Sequence, residues 1–202
     1  MEASPLIAVL AGGESRRMGT DKAGLVWQGT PLLERTCRAA VEAAGTPERV
    51  LVVGREHPAG WTLYGVRFAP DEMPGQGPLG GLATALRLAD GADCVAVACD
   101  MPGLTVGALR WLMVAAPSDA EHGAVTVNGG QWEPLFALYR PACAPLVEAR
   151  LASGRRSLHG LIEAGRFAFL DAPPEVRAAL VNVNTPEEFA AFARSRNTWE
   201  GA

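Results

Sequence analysis

No Cys-x-x-Cys pair occurs in this sequence, and none of its three histidines stands at zinc-finger spacing from a cysteine. Together these absences exclude a cysteine-framed metal centre. The four cysteines, Cys37, Cys94, Cys99 and Cys143, are scattered; Cys94 and Cys99 lie in or beside an apolar run, where thiols act as small buried hydrophobes. Reduced core thiols suit a cytoplasmic protein. His57, His122 and His159 have no partner that would make a triad and are read as bystanders. No apolar run approaches the ~18 residues of a membrane span, and the first five residues lack a basic segment leading into a long apolar one. Neither membrane insertion nor export is expected. Basic excess is also missing: the net charge is −4, so there is no global footprint for nucleic acid and any anion site has to be local. There is no internal repeat, linker or low-complexity stretch. Neither a Walker A loop nor a Gly-x-Gly-x-x-Gly fingerprint is present.

What the chain does have is 202 residues, 49% of them apolar and 20% charged, enough to bury one substantial core in a single domain. Residues 5–11 form a continuous apolar run stopped by glycine, the pattern of a strand buried on both faces. A helix over 31–44 follows, with Thr30 as N-cap, Pro31 at the first position and Gly45 as the stop. Strands over 49–54 and 65–69 come next, then a glycine- and proline-rich loop over 70–81 and a helix over 82–89 whose start is rich in glycine. A buried strand over 93–99, a helix over 105–115, and strands over 123–127 and 132–139 joined by Asn128-Gly129-Gly130 complete the regular alternation. The last two strands are expected to pair antiparallel. Helices over 142–152 and 158–163, a strand over 167–170 and a helix over 186–193 capped by Thr185 close the chain. The expected fold is α/β: a three-layer Rossmann-like arrangement of a mostly parallel sheet, helices on both faces and a short antiparallel excursion.

Three polar features follow strands and therefore converge on one sheet edge. The first is the stretch 10–22, Leu-Ala-Gly-Gly-Glu-Ser-Arg-Arg-Met-Gly-Thr-Asp-Lys, whose glycines permit a backbone anion nest and whose Arg16, Arg17 and Lys22 supply counter-charge. The second is the loop 70–81 with Asp71 and Gln76, and the third is Asp100, a hard oxygen at a strand's carboxyl end that suits Mg²⁺ bound mainly through phosphates and water. Glycine nest, lysine and carboxylate together fit phosphate-ester chemistry on a nucleoside triphosphate. Each has a plainer reading as well: a solvated basic loop, a turn residue, a cap. Arg155 and Arg156 offer a guanidinium fork for an anion or are solvated; Asn182 and Asn184 alternate along an extended segment and so face one way, as an amide clamp or a helix cap. Met18 and Met101 are read as packing residues.

Five blocks make a more specific match: Leu-Ala-Gly-Gly-x-Ser-x-Arg-Met-Gly-x-Asp-Lys at 10–22, Gly-Pro-Leu-Gly-Gly at 77–81, Cys-Asp-Met-Pro at 99–102, Glu-Pro-Leu-Phe-Ala-Leu-Tyr at 133–139 and Asn-Val-Asn-Thr-Pro-Glu-Glu at 182–188. In order and in kind they resemble the molybdenum cofactor guanylyltransferases. The first block alone marks the wider nucleotidyltransferase superfamily; the closing Asn-Val-Asn-Thr-Pro narrows it. The resemblance implies transfer of GMP from Mg²⁺-GTP to molybdenum-molybdopterin, with pyrophosphate released. It implies nucleotide contacts at Leu10, Ala11, Gly12, Gly13, Lys22 and Asp71, with Asp100 as the metal ligand. Lys22 and Asp100 then carry catalysis. The pterin side falls on Arg17, on Gly77, Gly80 and Gly81, on the Arg155-Arg156 pair, and on Asn182 and Asn184. The part up to about residue 105 would bind nucleotide and the remainder the pterin, with molybdenum-insertion and molybdoenzyme-maturation proteins as partners. Ala98 stands where family members commonly have proline. Gly12, where cytidylyl relatives tend to have alanine, goes with guanine use. The rival readings are a molybdopterin cytidylyltransferase, a sugar-1-phosphate nucleotidyltransferase, and a non-catalytic carrier of the cofactor.

Overall fold

The computed structural model describes residues 4–12, 25–183 and 185–197. Strand β1 (Leu6–Leu10) is buried along its whole length, as its unbroken apolar run requires. A two-strand ribbon, β2 (Val26–Trp27) and β3 (Thr30–Pro31), then leads into helix α1 (Leu32–Ala44). Strand β4 (Val50–Val53), strand β5 (Arg67–Ala69), helix α2 (Pro78–Leu88), strand β6 (Cys94–Ala98) and helix α3 (Val106–Ala115) continue the alternation. Strands β7 (Gly123–Asn128) and β8 (Gln131–Tyr139) form a hairpin. Helices α4 (Ala144–Ala152) and α5 (Leu158–Ala164), strand β9 (Phe167–Asp171), and helices α6 (Pro174–Ala179) and α7 (Pro186–Asn197) follow. No helix among the described residues is long and apolar enough to cross a membrane.

Among the described residues, seven strands form one sheet in the order β5-β4-β1-β6-β8-β7-β9. Only β8 runs against its neighbours, paired antiparallel to both β6 and β7; β7 pairs parallel with β9. The expected mostly parallel sheet with a short antiparallel excursion is what the chain forms. The connection through α1 carries the chain from β1 to β4, and that through α2 carries it back past β1 to β6. Strand order therefore reverses between β1 and β6, whose carboxyl ends make the crevice in which open α/β sheets hold ligands.

Alternating side chains feed two cores. Ile7, Val9, Val50, Val52, Val95 and Val97 face α1, α3 and α6, while Leu6, Ala8, Leu10, Leu51, Val53 and Ala96 face α2, α4 and α5. Cys37, Cys94 and Cys143 are buried in these layers, and burial pushes the Cys94 and Cys143 thiols up to about 12, so both stay neutral and apolar. Met101 packs in the first core as expected. A third, smaller cluster joins Leu32, Val183 and Phe192 to Leu25, Trp27 and Phe189, fastening α7 beside the ribbon.

Several local expectations need correcting. Thr30 does not cap α1: it belongs to β3, and Pro31 takes the N-cap position without a side-chain bond. The cause is a two-residue turn at Gln28 and Gly29, both at positive φ (48° and 76°), which closes the ribbon and delays the helix. Helix α2 begins at Pro78, so Gly80 and Gly81 lie in its first turn rather than in a loop. The short α6 was not legible. Two caps are as expected: Gly45 ends α1 in the left-handed region with its N–H on Val41 O at 2.9 Å, and Thr185 exchanges hydrogen bonds with Glu188 in a capping box.

One close approach constrains this edge of the sheet. Gly54 follows β4 at φ 88°, and a Cβ there would lie 2.5 Å from Gly12 Cα and 2.7 Å from Gly12 N, both backbone atoms that cannot yield locally. Gly60 has a similar φ of 75° but open space around it. Gly60→Ala is expected to cost about 1 kcal/mol for the left-handed backbone alone, whereas Gly54→Ala adds backbone overlap and should cost about 3 kcal/mol in urea unfolding.

Candidate active site

The site forms where β1 ends. Ala11 extends the β1–β4 ladder by donating to Val53 O at 2.9 Å, and Gly54 extends the next by donating to Ala69 O at 2.9 Å. These bonds hold Leu10, Ala11 and Gly12 at the carboxyl edge, with Gly12 crossing Gly54 backbone to backbone. On the other side, Gly81 packs on Leu10: a Cβ on Gly81 would stand 3.5 Å from the leucine side chain. The first turn of α2 is thereby seated directly on the end of β1. Because the free N–H groups of a helix start favour anions, this places a positive backbone end at the crevice.

The segment between β5 and α2 is built by its own polar contacts. Asp71 Oδ1 accepts from Met73 N at 2.9 Å, so one oxygen of that carboxylate shapes the turn. Thr84 Oγ1, buried in α2, accepts from Glu72 N and donates to Gly80 O, each at 3.2 Å. Glu72 also pairs with Arg87. Gly80 is required by this packing, since a Cβ would lie 2.7 Å from Met73 O. Gln76 sits in the same turn with a buried side-chain oxygen that has no partner among the described residues.

Asp100 follows β6 by two residues and is partly buried. Its carbonyl accepts from Val183 N at 3.0 Å, which seats the segment carrying Asn182 on the end of β6. Asn182 itself is exposed and opens onto a groove between α6 and α7, bordered by Val181, Ala191 and Phe192. Among the described residues no group of three or more His, Cys, Asp or Glu could hold a metal ion. A lone carboxylate is the donor set that fits a hard cation such as Mg²⁺, which takes most of its oxygens from phosphates and water. It does not fit a protein-enclosed zinc or calcium site.

Arg156 reaches across from the loop before α5, its Nη1 donating to Gly75 O at 3.1 Å; both it and the neighbouring Arg155 are exposed. The structure thus brings Leu10, Ala11, Gly12, Asp71, Gly77, Gly80, Gly81, Asp100, Arg156 and Asn182 to the carboxyl edge of the sheet or the segments packed on it. Gly13, Arg17, Lys22 and Asn184 lie outside the described residues, as does Met18. Of the histidines, His122 accepts from Arg166 N at 2.9 Å, a structural role. Two residues that shape the site escaped the sequence reading. Gly54 had a usable signal, a glycine that closes an apolar run as Gly12 closes the first one; Thr84 had none.

The MobA-like NTP transferase domain family matches residues 7–167. A protein of Synechococcus elongatus named probable molybdenum cofactor guanylyltransferase is 37% identical over 194 residues, covering 93% of this chain and 97% of that one. The Pseudomonas putida protein named molybdenum cofactor guanylyltransferase is 34% identical over 187 residues, 90% of this chain and 93% of its own. Among solved structures, molybdopterin-guanine dinucleotide biosynthesis protein A from Archaeoglobus fulgidus superposes with a TM-score of 0.73 at 23% identity, covering 95% of this chain and 98% of that one, which establishes the shared fold.

Thr84→Val keeps the shape of α2 but leaves the Glu72 N–H without its acceptor. The expected loss is about 1–2 kcal/mol, read as lower stability in denaturant and faster hydrogen exchange at the Glu72 amide.

Proposed function

The chain belongs to the MobA-like NTP transferase family, and from that premise we propose that it transfers GMP from Mg²⁺-GTP to the phosphate of molybdenum-molybdopterin. It is a nucleotidyltransferase. The observation that best supports a two-substrate site is the Val183 N–H on the Asp100 carbonyl, because it ties the closing asparagine segment to the metal-side residue.

On this reading the triphosphate lies against Leu10, Ala11, Gly12, Gly13 and the start of α2, with Lys22 supplying positive charge and Asp71 a further nucleotide contact. Asp100 would hold Mg²⁺, which when bound neutralises phosphate charge. The acceptor lies against Arg17, Gly77, Gly80, Gly81, the Arg155-Arg156 pair, Asn182 and Asn184. A phosphate oxygen of molybdopterin forms a bond to the α-phosphorus of GTP as the bond to the β-phosphate oxygen breaks, and pyrophosphate departs. That oxygen is anionic near neutral pH, so no strong general base is required. Catalysis then rests on alignment of the two phosphates and on donors aimed at the charge that develops. The cytidylyl, sugar-phosphate and carrier readings find no support in the names of the two relatives above. The four free thiols support the cytoplasm as the compartment. Proteins that insert molybdenum would act beside this step, and molybdoenzyme-maturation proteins would receive its product.

Two measurements test the proposal. With molybdenum-loaded molybdopterin, GTP should support pyrophosphate release and CTP should not; turnover with CTP matching that with GTP would overturn the guanylyl assignment. Asp100→Asn should fold normally and lose about 10³-fold in turnover, equivalent to about 4 kcal/mol. Near-normal GMP transfer by that variant would remove Asp100 from the metal site.

A further inference from the structure

The Glu-Pro-Leu-Phe-Ala-Leu-Tyr block has no part in the reaction described so far, yet it contains the largest irregularity in the sheet. Strands β7 and β8 pair Val125 with Ala137 and then Thr126 with Glu133, so Pro134, Leu135 and Phe136 are extra residues on β8. Such bulges bend a strand and re-aim side chains, and they concentrate beside active sites. This one is fastened from within: the buried Tyr139 hydroxyl donates to Pro134 O at 2.8 Å. Burial raises the Tyr139 phenol, which keeps it a neutral donor.

The bulge sets Glu133 beside Thr126 across the strands. Thr126 is 0% exposed, and its hydroxyl has no hydrogen-bond partner among the described residues. A buried, unspent hydroxyl costs free energy unless something uses it. Glu133 is half-buried, with Oε1 accepting from Asn128 Nδ2 at 3.1 Å and Oε2 without a protein partner among the described residues. Desolvation raises its carboxyl above the usual range, opposed by Asn128 and by His159. On the opposite face of β8, Trp132 stacks on His159 with ring centroids 6.2 Å apart and meets Phe169 at 5.0 Å, which anchors the strand that carries Glu133.

Position decides what these groups face. In the sheet β8 adjoins β6 on the side away from β1. The β6–β8 register ends at Val97 opposite Phe136, which brings the bulge level with the carboxyl end of β6 and Asp100. We propose that Glu133, with Thr126 and Asn128, forms a recognition subsite for the amino-oxo-pyrimidine edge of the acceptor's pterin ring; this rests on the reaction proposed above. That edge presents an adjacent ring N–H and amino group, two parallel donors that a carboxylate with a free oxygen accepts side by side. Guanine carries the same edge. The placement of Glu133 beyond β6 from the β1 loop assigns it to the acceptor, not to the nucleotide.

Glu133→Gln keeps the size and the acceptor for Asn128 but turns a donor toward the ligand's N–H groups. Titration of molybdopterin fluorescence without nucleotide should show at least tenfold weaker binding by this variant. Thr126→Val should weaken it about threefold. In turnover, the KM for the acceptor should rise while that for GTP stays within twofold, which also shows that the variant is folded. Acceptor binding within twofold of wild type overturns the proposal. So does a loss confined to GTP with ITP, which lacks the amino group, unaffected: that result would assign Glu133 to guanine. Wild-type protein that binds molybdopterin but transfers no GMP overturns the reaction while the titration still judges Glu133. Wild-type protein that binds no molybdopterin overturns both.

Discussion

Burial of β1 on both faces is the constraint on which the rest of the molecule depends. Leu6 to Leu10 are at most 7% exposed, with β4 and β6 on either side and a helix layer above and below. A strand so enclosed can carry no polar side chain without a partner, so chemistry is confined to the place where it emerges. Everything assigned to the site follows from that emergence. Gly12 crosses Gly54, Gly81 rests on Leu10, and Asp100 leaves the neighbouring strand two residues beyond its last pair. Backbone contacts dominate here because no side chain would fit between the emerging chains.

The reversal of β8 adds a second constraint. Parallel strands demand long crossovers, but an antiparallel strand can return through the two glycines at 129 and 130 and pair with β6. That insertion separates β6 from β7, and the bulge absorbs the mismatch between one regular ladder and one interrupted one. A carboxylate thereby arrives at the same edge as Asp100 from the opposite strand direction. The two acids come from different chain segments, Asp100 leaving β6 and Glu133 lying on β8.

Much of this was legible in the sequence, for identifiable reasons. Continuous apolar runs such as Leu6 to Leu10 and Cys94 to Ala98 favour a buried strand, and a glycine or acid two residues after each marks the edge. Caps at Gly45 and Thr185 were readable because their chemistry is local. Thr30 was misread because Gln28 adopts a left-handed backbone, which its side chain does not advertise. Pro78 suits the first position of a helix, but Gly80 and Gly81 in its first turn run against helix propensity; contacts with Met73 and Leu10 override it. The Arg155-Arg156 pair could not be divided by pattern, since only the fold shows Arg156 turned to Gly75. Thr126 and Glu133 were invisible as a pair because a three-residue slip decides which residues meet.

The forces at the edges of the site differ in scale from those in the sheet. Trp27 meets Phe192 edge-on at 4.9 Å and carries the Arg35 guanidinium over its face at 4.1 Å. Each such contact contributes about 1 kcal/mol. Leu32 and Val183 complete the same small cluster, and Val183 is the residue hydrogen-bonded to Asp100. The β2–β3 ribbon and the closing segment that borders Asp100 are therefore held together by a few kcal/mol, while the strands beneath are held by two full cores. Local opening in proteins draws on contacts of this scale before it reaches a full core. For a reaction that admits two large anionic substrates and releases two products, that division is physically apt. Two cores fix the sheet edge, and the small cluster joins the ribbon to the closing segment beside it.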